Sequence, residues 1–310
     1  MTSQESISFA MLGDFGSGSS NEGDVADLVN NWGVDFIVTA GDNRYGTNTF
    51  DQTIGQFYCE FLADAGSGPN CTGDLSPENR FFPAPGNHDY TDGGGISEYL
   101  SYFNLPGTGI SSSNSSGNER YYDFIKGEVH FFMIDSQGAL TNGADAIDQQ
   151  NWLQTQLAAS TDTWKVVLLH HAPYSSSSNH GSNTAMQWPY AAWGADAVMA
   201  GHDHTYERIH TNGIDYFVNG LGGRSLYGIG TPIPGSEVVY NGDYGAMLVT
   251  ADQNEMNFKF INTSGTVIDD YTLQKTGPPP SSGIVDVSVG GSLDDVEERI
   301  SDGGIDAAST

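Results

Sequence analysis

The chain has 310 residues, of which 39 are acidic and 10 basic, for a formal net charge of −29. That length supports one large domain with a substantial core, or one domain with an appendage. The charge speaks against nucleic acid and anionic membranes as bulk partners, no apolar run reaches the roughly 18 residues of a membrane span, and an acidic surface suits solubility in a salty or calcium-rich medium.

Residues 7–14 form an apolar run that ends in Gly-Asp and reads as a strand. Met1 leads almost directly into it, without the charged and then apolar order of a secretion signal. Val25, Leu28, Val29 and Trp32 recur at helical spacing. Residues 36–42 are a second buried strand, again ending in Gly-Asp. Residues 50–64 read as a helix with Ile54, Phe57, Tyr58 and Phe61 on one stripe. Cys59 and Cys71 flank a Gly/Ser/Pro-rich loop, where a disulfide is expected and would fit an oxidising compartment.

Residues 80–85 lead into Gly86-Asn87-His88-Asp89, and 104–120 is a Ser/Gly-rich surface loop. Residues 121–125 and 128–135 form a hairpin around Lys126-Gly127, followed by a helix over 146–158. Residues 164–171 and 195–201 are two more apolar strands. The pattern then changes. Asn212-Gly213 joins strands 208–209 and 214–218, and 246–250, 256–261 and 267–273 continue as strands with short polar turns. Alternating β and α followed by a β meander predicts an α/β fold, a four-layer α-β-β-α sandwich of two mixed sheets. Residues 1–275 make the catalytic domain, 276–283 a Pro/Ser/Gly linker, and 284–310 an acidic tail that reads as the start of a further module or as a disordered end.

Five clusters carry chemistry, each where a strand ends: Gly13-Asp14-Phe15-Gly16, Gly41-Asp42-Asn43-Arg44-Tyr45, Gly86-Asn87-His88-Asp89, His170-His171-Ala172-Pro173 and Gly201-His202-Asp203-His204. Strand C-termini of an α/β sheet face a common crevice, so the five converge. Their donors are oxygen and nitrogen without thiolate, which suits iron, zinc or manganese. A carboxylate can bridge two such ions, and two ions can clamp a phosphoryl group and prepare a nucleophile.

The order Gly-Asp-x-Gly, Gly-Asp-x-x-Tyr, Gly-Asn-His-Asp, a strand ending in His, and Gly-His-x-His resembles that of the small, single-domain purple acid phosphatases. These belong to the calcineurin-like metallophosphoesterase superfamily. The resemblance covers roughly residues 7–273, and His204-Thr205-Tyr206-Glu207-Arg208 adds to it. It implies that Asp14, Asp42, Tyr45 and His204 hold a ferric ion. Asp42, Asn87, His171 and His202 would hold a divalent ion (iron, zinc or manganese), with Asp42 bridging. Related Ser/Thr phosphatases carry a histidine where this chain has Gly16, and Tyr45 takes its place as a phenolate ligand that colours the protein. The His-x-Pro spacing favours His171 over His170, which then becomes a buried neighbour. His88 resembles the family's outer-sphere histidine and His180 a second one. His130 reads as structural, and His210 is assigned no role. Arg44 and Arg208 are expected to pair with ligand carboxylates or to touch the substrate.

The implied activity is hydrolysis of small phosphate monoesters by a metal-bound hydroxide, in an extracellular or periplasmic enzyme. Competing readings are a phosphodiesterase or nucleotide hydrolase on the same site, and a non-catalytic surface module. Further domains of a larger polypeptide beyond the C-terminus are expected as covalent neighbours.

Overall fold

Uninterrupted apolar runs bury both faces of a strand, and alternating runs bury one. Both kinds occur here. The computed structural model describes residues 6–63, 68–110 and 115–275. Its strands, in chain order, begin with β1 (Ile7–Leu12), β2 (Phe36–Thr39), β3 (Phe81–Pro83), β4 (Tyr122–Lys126), β5 (Val129–Met133) and β6 (Trp164–His171). They continue with β7 (Ala197–Gly201), β8 (Tyr206–Thr211), β9 (Ile214–Asn219), β10 (Ser236–Tyr240), β11 (Gly245–Ala251), β12 (Glu255–Asn262) and β13 (Val267–Gln274). One sheet runs β13-β12-β11-β1-β2-β3 and the other β10-β8-β9-β7-β6-β5-β4. Both are mixed, as expected. β1 is parallel to β2 but antiparallel to β11, and β6 is parallel to both β5 and β7.

The sheets pack face to face through aromatic rings. Phe9 meets Phe131 edge-on at 5.1 Å, Phe82 stacks on Phe124 at 3.8 Å, and Phe217 on Phe258 at 4.3 Å. In β6 the period of two is visible: Val166 and Leu168 enter this inter-sheet core, while Val167 and Leu169 enter a second apolar cluster. Helix Gly143–Ala159 covers that outer face with Leu153 and Leu157. Full burial of such side chains stabilises the fold by about 1.5–3 kcal/mol each. Helix Ser20–Trp32 buries Val25, Ala26 and Val29 and stops at Gly33, whose φ of 64° closes it with a left-handed cap.

The described residues 50–63 depart from the single helix expected over 50–64. They include three short consecutive turns, Asp51–Gly55, Gln56–Tyr58 and Cys59–Phe61, of different pitch. Of the stripe, Ile54, Tyr58 and Phe61 are buried and Phe57 is half-buried. The hydrophobic period located the face, but it does not report the pitch. The edge strand β10 and the helix Ile96–Tyr102 were not anticipated.

Cys59 and Cys71 form the expected disulfide, with Cα atoms 5.1 Å apart. Chain entropy assigns such a short loop a stabilisation of about 3 kcal/mol. The double substitution Cys59→Ser/Cys71→Ser is therefore expected to lower the urea midpoint by a corresponding amount. An unchanged midpoint would mean that the cross-link adds nothing to the folded domain. The linker and tail expected after residue 275 lie outside the described residues. Among the described residues no helix is long and apolar enough to cross a membrane.

Candidate metal centre

Each cluster sits where a strand ends and the chain must turn at once. Asp14, Asp42 and His202 take left-handed backbone angles, with φ of 57°, 52° and 71°. Asp and His tolerate this region better than most residues, yet each such position still costs about 1–3 kcal/mol. Hydrogen bonds hold them there. The Asp14 N–H donates to the Gly41 carbonyl at 3.0 Å, and the His202 N–H to Asp14 Oδ2 at 2.7 Å. This second bond joins the end of β7 in one sheet to the end of β1 in the other. Gly86 is fixed by close approach: a Cβ there would lie 2.2 Å from Asp42 Oδ1.

One half of the centre gathers Asp14, Tyr45 and His204. The Tyr45 hydroxyl donates to Asp14 Oδ1 at 3.1 Å and lies 3.4 Å from His204 Nε2. His204 Nε2 is itself 3.2 Å from Asp14 Oδ1. Its other nitrogen, Nδ1, meets Ser225 Oγ at 2.8 Å, so Nε2 is the atom turned inward. Burial, then the charges of Asp14 and Asp42, hold the Tyr45 phenol well above its ordinary pKa. Gly16 explains why no histidine stands in the first cluster: a Cβ there would fall 2.1 Å from the Asn43 carbonyl oxygen.

The other half gathers Asp42, Asn87, His170, His171 and His202. β6 bulges between Leu169 and His171, so two successive residues that would point to opposite faces both approach His202. The ring centroids of His170 and His171 lie 4.9 and 4.3 Å from that of His202. His170 is fully buried. Its Nδ1–H donates to the Ala40 carbonyl at 2.7 Å, and its Nε2 lies 2.9 Å from Asn87 Oδ1 and 3.4 Å from Asp42 Oδ1. His171 Nδ1 is 2.9 Å from Ser136 Oγ, leaving its Nε2 available. Asp14, Asp42 and His170 place buried donor atoms within 4.8 Å of one another. His170 is thus the buried neighbour expected, with its Nε2 turned toward Asn87 and Asp42.

The electrostatics suit a cation. Burial, then the neighbouring His170, push the His171 imidazole down to about 3, and burial likewise holds His202 far below its ordinary range. Both shifts favour the neutral rings that metal ligation requires. Burial opposes charge on Asp42, but His170 and the His88 N–H bring its carboxyl down to about 2. Burial also opposes charge on His170, and there the carboxylates of Asp42 and Asp14 win, pushing it up to about 9. Two buried carboxylates, a phenol, an amide and several tethered imidazoles are an oxygen/nitrogen donor set that fits two metal ions.

The rim carries the remaining candidates. His88 is 37% exposed, with its ring 4.4 Å from that of Tyr45, and its Nδ1 is 2.7 Å from Asp92 Oδ2. Burial disfavours charge on Asp92, but the Gly46 N–H and the His88 ring outweigh it and lower its pKa. His180 is brought to the same mouth, its exposed ring stacked 4.1 Å from His202 and its N–H donated to Asp203 Oδ1. Sequence reasoning missed Asp92, Ser136, Ser225, Arg224 and Tyr227. For Asp92 a signal existed, its i+4 spacing from His88 at a helix start. Ser136 opens a short helix just after β5, and Arg224, Ser225 and Tyr227 lie between β9 and β10, where no motif marks them. Asp89 was in view without a role. It accepts from Gly86 N and Asn43 N, clamping the second and third clusters together, and burial and then Asp42 push its carboxyl up to about 7.

Two expectations are corrected. Arg44 pairs with Glu98, and Arg208 with Asp269 and Glu237, so neither pairs with Asp14 or Asp42. Arg44 thus ties the second cluster to the segment around Glu98, and Arg208 ties β8 to β10 and β13. His130 is held by Asp123 and Ser160 away from the centre, in keeping with a structural role, and His210 meets Asp215.

Comparison with known proteins gives a consistent picture. The calcineurin-like phosphoesterase profile matches residues 7–206. Tartrate-resistant acid phosphatase type 5 of Rattus norvegicus is 27% identical over 229 residues, which cover 66% of this chain and 65% of the rat protein. The match therefore spans slightly less than two thirds of that relative's length. Purple acid phosphatase 4 of Arabidopsis thaliana is 26% identical over 299 residues, covering 87% of this chain and 84% of that protein. Among solved structures, GAP50, the anchor in the inner membrane complex of Plasmodium, superposes with a TM-score of 0.67 at 20% identity, covering 87% of this chain and 89% of that one.

Proposed function

The chain belongs to the calcineurin-like phosphoesterase family, and on that premise we propose that it is a phosphomonoesterase of the purple acid phosphatase type. Asp14, Asp42, Tyr45 and His204 hold a ferric ion in this reading. Asp42, Asn87, His171 and His202 hold a divalent iron, zinc or manganese ion, and the His170 Nε2 faces the same oxygens. The buried triangle of Tyr45, Asp14 and His204, with no space for a side chain at position 16, carries the choice of subclass. When bound, the two ions supply Lewis acidity toward phosphate oxygens and lower the pKa of water.

The protein's own groups supply position and protons. The His88 N–H holds Asp42 Oδ1 at 2.9 Å, fixing the carboxylate that would serve both ions. With His88 Nδ1 engaged by Asp92, Nε2 is the ring atom left to deliver a proton to a departing oxygen. His180, on the opposite rim, assists. The disulfide suits an oxidising compartment outside the cytosol.

Elemental analysis of protein made with iron available is expected to give about two metal ions per chain, at least one of them iron, with a visible charge-transfer band. Tyr45→Phe is expected to abolish that band while retaining part of the hydrolysis. Two zinc ions and no iron in the parent, or a Tyr45→Phe protein that keeps its colour, would remove the purple subclass. Assays on nitrophenyl phosphate and its diester decide between the monoesterase and the phosphodiesterase.

A further inference from the structure

We propose that Arg224 reads a second negative charge on the substrate, so that the site favours phosphate esters and anhydrides whose leaving group is itself anionic. The inference rests on the phosphatase reading above and assigns that site a substrate class.

The segment after β9 is tied to the centre by its main chain. The Gly222 N–H donates to the Gly13 carbonyl at 3.1 Å, the Arg224 N–H to the Asp14 carbonyl at 3.1 Å, and the Tyr227 N–H to the His204 carbonyl at 3.0 Å. Between these, Ser225 Oγ holds His204 Nδ1. A Cβ on Gly222 would fall 2.4 Å from the Gly13 oxygen, so the segment lies flat against the first cluster. The Arg224 backbone is therefore positioned by the same residues that carry two of the ligands.

The side chain leaves this anchored backbone for the mouth of the site. Arg224 is exposed, and its guanidinium carbon sits 4.9 Å from the centroid of the Tyr45 ring. The Tyr45 hydroxyl, not the guanidinium, meets Asp14. The cation thus flanks the centre without joining it, where it can address a group that projects past the scissile phosphate. Among the described residues it has no ion-pair partner. The other described arginines are committed: Arg44, Arg120 and Arg208 form ion pairs, and Arg80 donates to two main-chain oxygens.

Charge makes this cation consequential. A protein of net charge −29 repels polyanionic substrates over its whole surface. An uncommitted guanidinium at the mouth offsets that field locally, and its planar fork matches a phosphate or carboxylate through two parallel N–H donors. Tyr227 stacks on His204 at 3.9 Å, with the His180 ring 5.5 Å from it, so the neighbouring part of the rim is made of rings.

The test uses the metal-loaded full chain, Arg224→Gln and Arg224→Lys. Calorimetry compares the affinity of methylenediphosphonate with that of inorganic phosphate. Steady-state kinetics compare inorganic pyrophosphate, a phosphoglycerate and glycerol 2-phosphate. Arg224→Gln is expected to weaken methylenediphosphonate roughly tenfold relative to phosphate, as suits a charge-assisted contact at an exposed position. It is expected to raise KM more than it lowers kcat, cutting the preference for an anionic leaving group over glycerol phosphate by a similar factor. Arg224→Lys should recover part of each. A loss confined to pyrophosphate identifies the second anion as phosphate, and one confined to phosphoglycerate identifies it as carboxylate. Equal losses on all probes, or a fall in metal content in Arg224→Gln, would overturn the proposal. If the parent hydrolyses no phosphate ester, the phosphatase reading fails, while the calorimetric comparison still decides the role of Arg224.

Discussion

Asp42→Asn is expected to lower turnover by roughly 10³-fold and to leave the protein with less than its full metal complement. In the proposed assignment Asp42 would serve both ions, and transition-state charge stabilisation worth several kcal/mol would be lost with it, each 1.36 kcal/mol being about tenfold in rate. The backbone tolerates the change, since Asn accepts the left-handed φ of 52° as readily as Asp does and its side-chain oxygen can still take the His88 N–H. The substitution also removes the charge that faces the buried His170 Nε2 at 3.4 Å, so a lower melting temperature is expected as well. Circular dichroism below that temperature separates loss of the bridge from loss of the fold. In the proposed assignment Asn87 would hold one ion only, so Asn87→Ala should cost less in both metal content and rate. A variant Asp42→Asn that keeps two ions and near-normal turnover would show that another residue bridges.

His88→Ala is expected to discriminate between leaving groups. A phenolate departs readily without a proton, whereas an alkoxide is a far stronger base. General acid assistance is typically worth about 10²–10⁴-fold. Turnover of glycerol phosphate should fall by that order while turnover of nitrophenyl phosphate falls much less, with metal content unchanged. His180→Ala should show the same selectivity more weakly. The contact between His88 and Asp92 makes the expectation specific, because it directs Nε2 outward. If both substrates lose rate equally, mainly through KM, His88 binds phosphate and is not the acid.

Much of this was legible in the sequence because the relevant signals are local. A strand that runs into Gly-Asp or Gly-Asn must turn sharply, and strand ends in parallel sheets share an edge, so the convergence of the five clusters followed from their order. The two-sheet sandwich followed from the switch between alternating β/α and consecutive β. The adjacent pair His170-His171 was harder. A period of two sends one ring inward and one outward, and choosing between them assumes a regular strand. The bulge in β6 breaks that assumption and brings both to His202. Ser136 and Ser225 were missed because each meets a histidine 35 or 21 residues away through a single hydrogen bond, which leaves no periodicity in the sequence, whereas the i+4 spacing of Asp92 from His88 was there to be read. Arg44 and Arg208 misled because motif membership was taken as contact with the ligands. Their partners Glu98 and Asp269 lie 54 and 61 residues further along the chain.

The place of β1 in its sheet bears on how this chain is made. β1 lies between β2, which follows it closely, and β11, whose Met247 pairs with Met11. A ribosome delivers Asp14 with β1, yet β11 emerges only after more than two hundred further residues. During that interval the β1 edge has unpaired N–H and C=O groups that can template association with another chain. Closing so long a loop is slow, because its entropic cost comes before the contacts that offset it. Half of the centre therefore stays attached to an unfinished sheet until the last strands arrive, and synthesis exposes this protein to aggregation more than its finished, strongly charged surface would suggest.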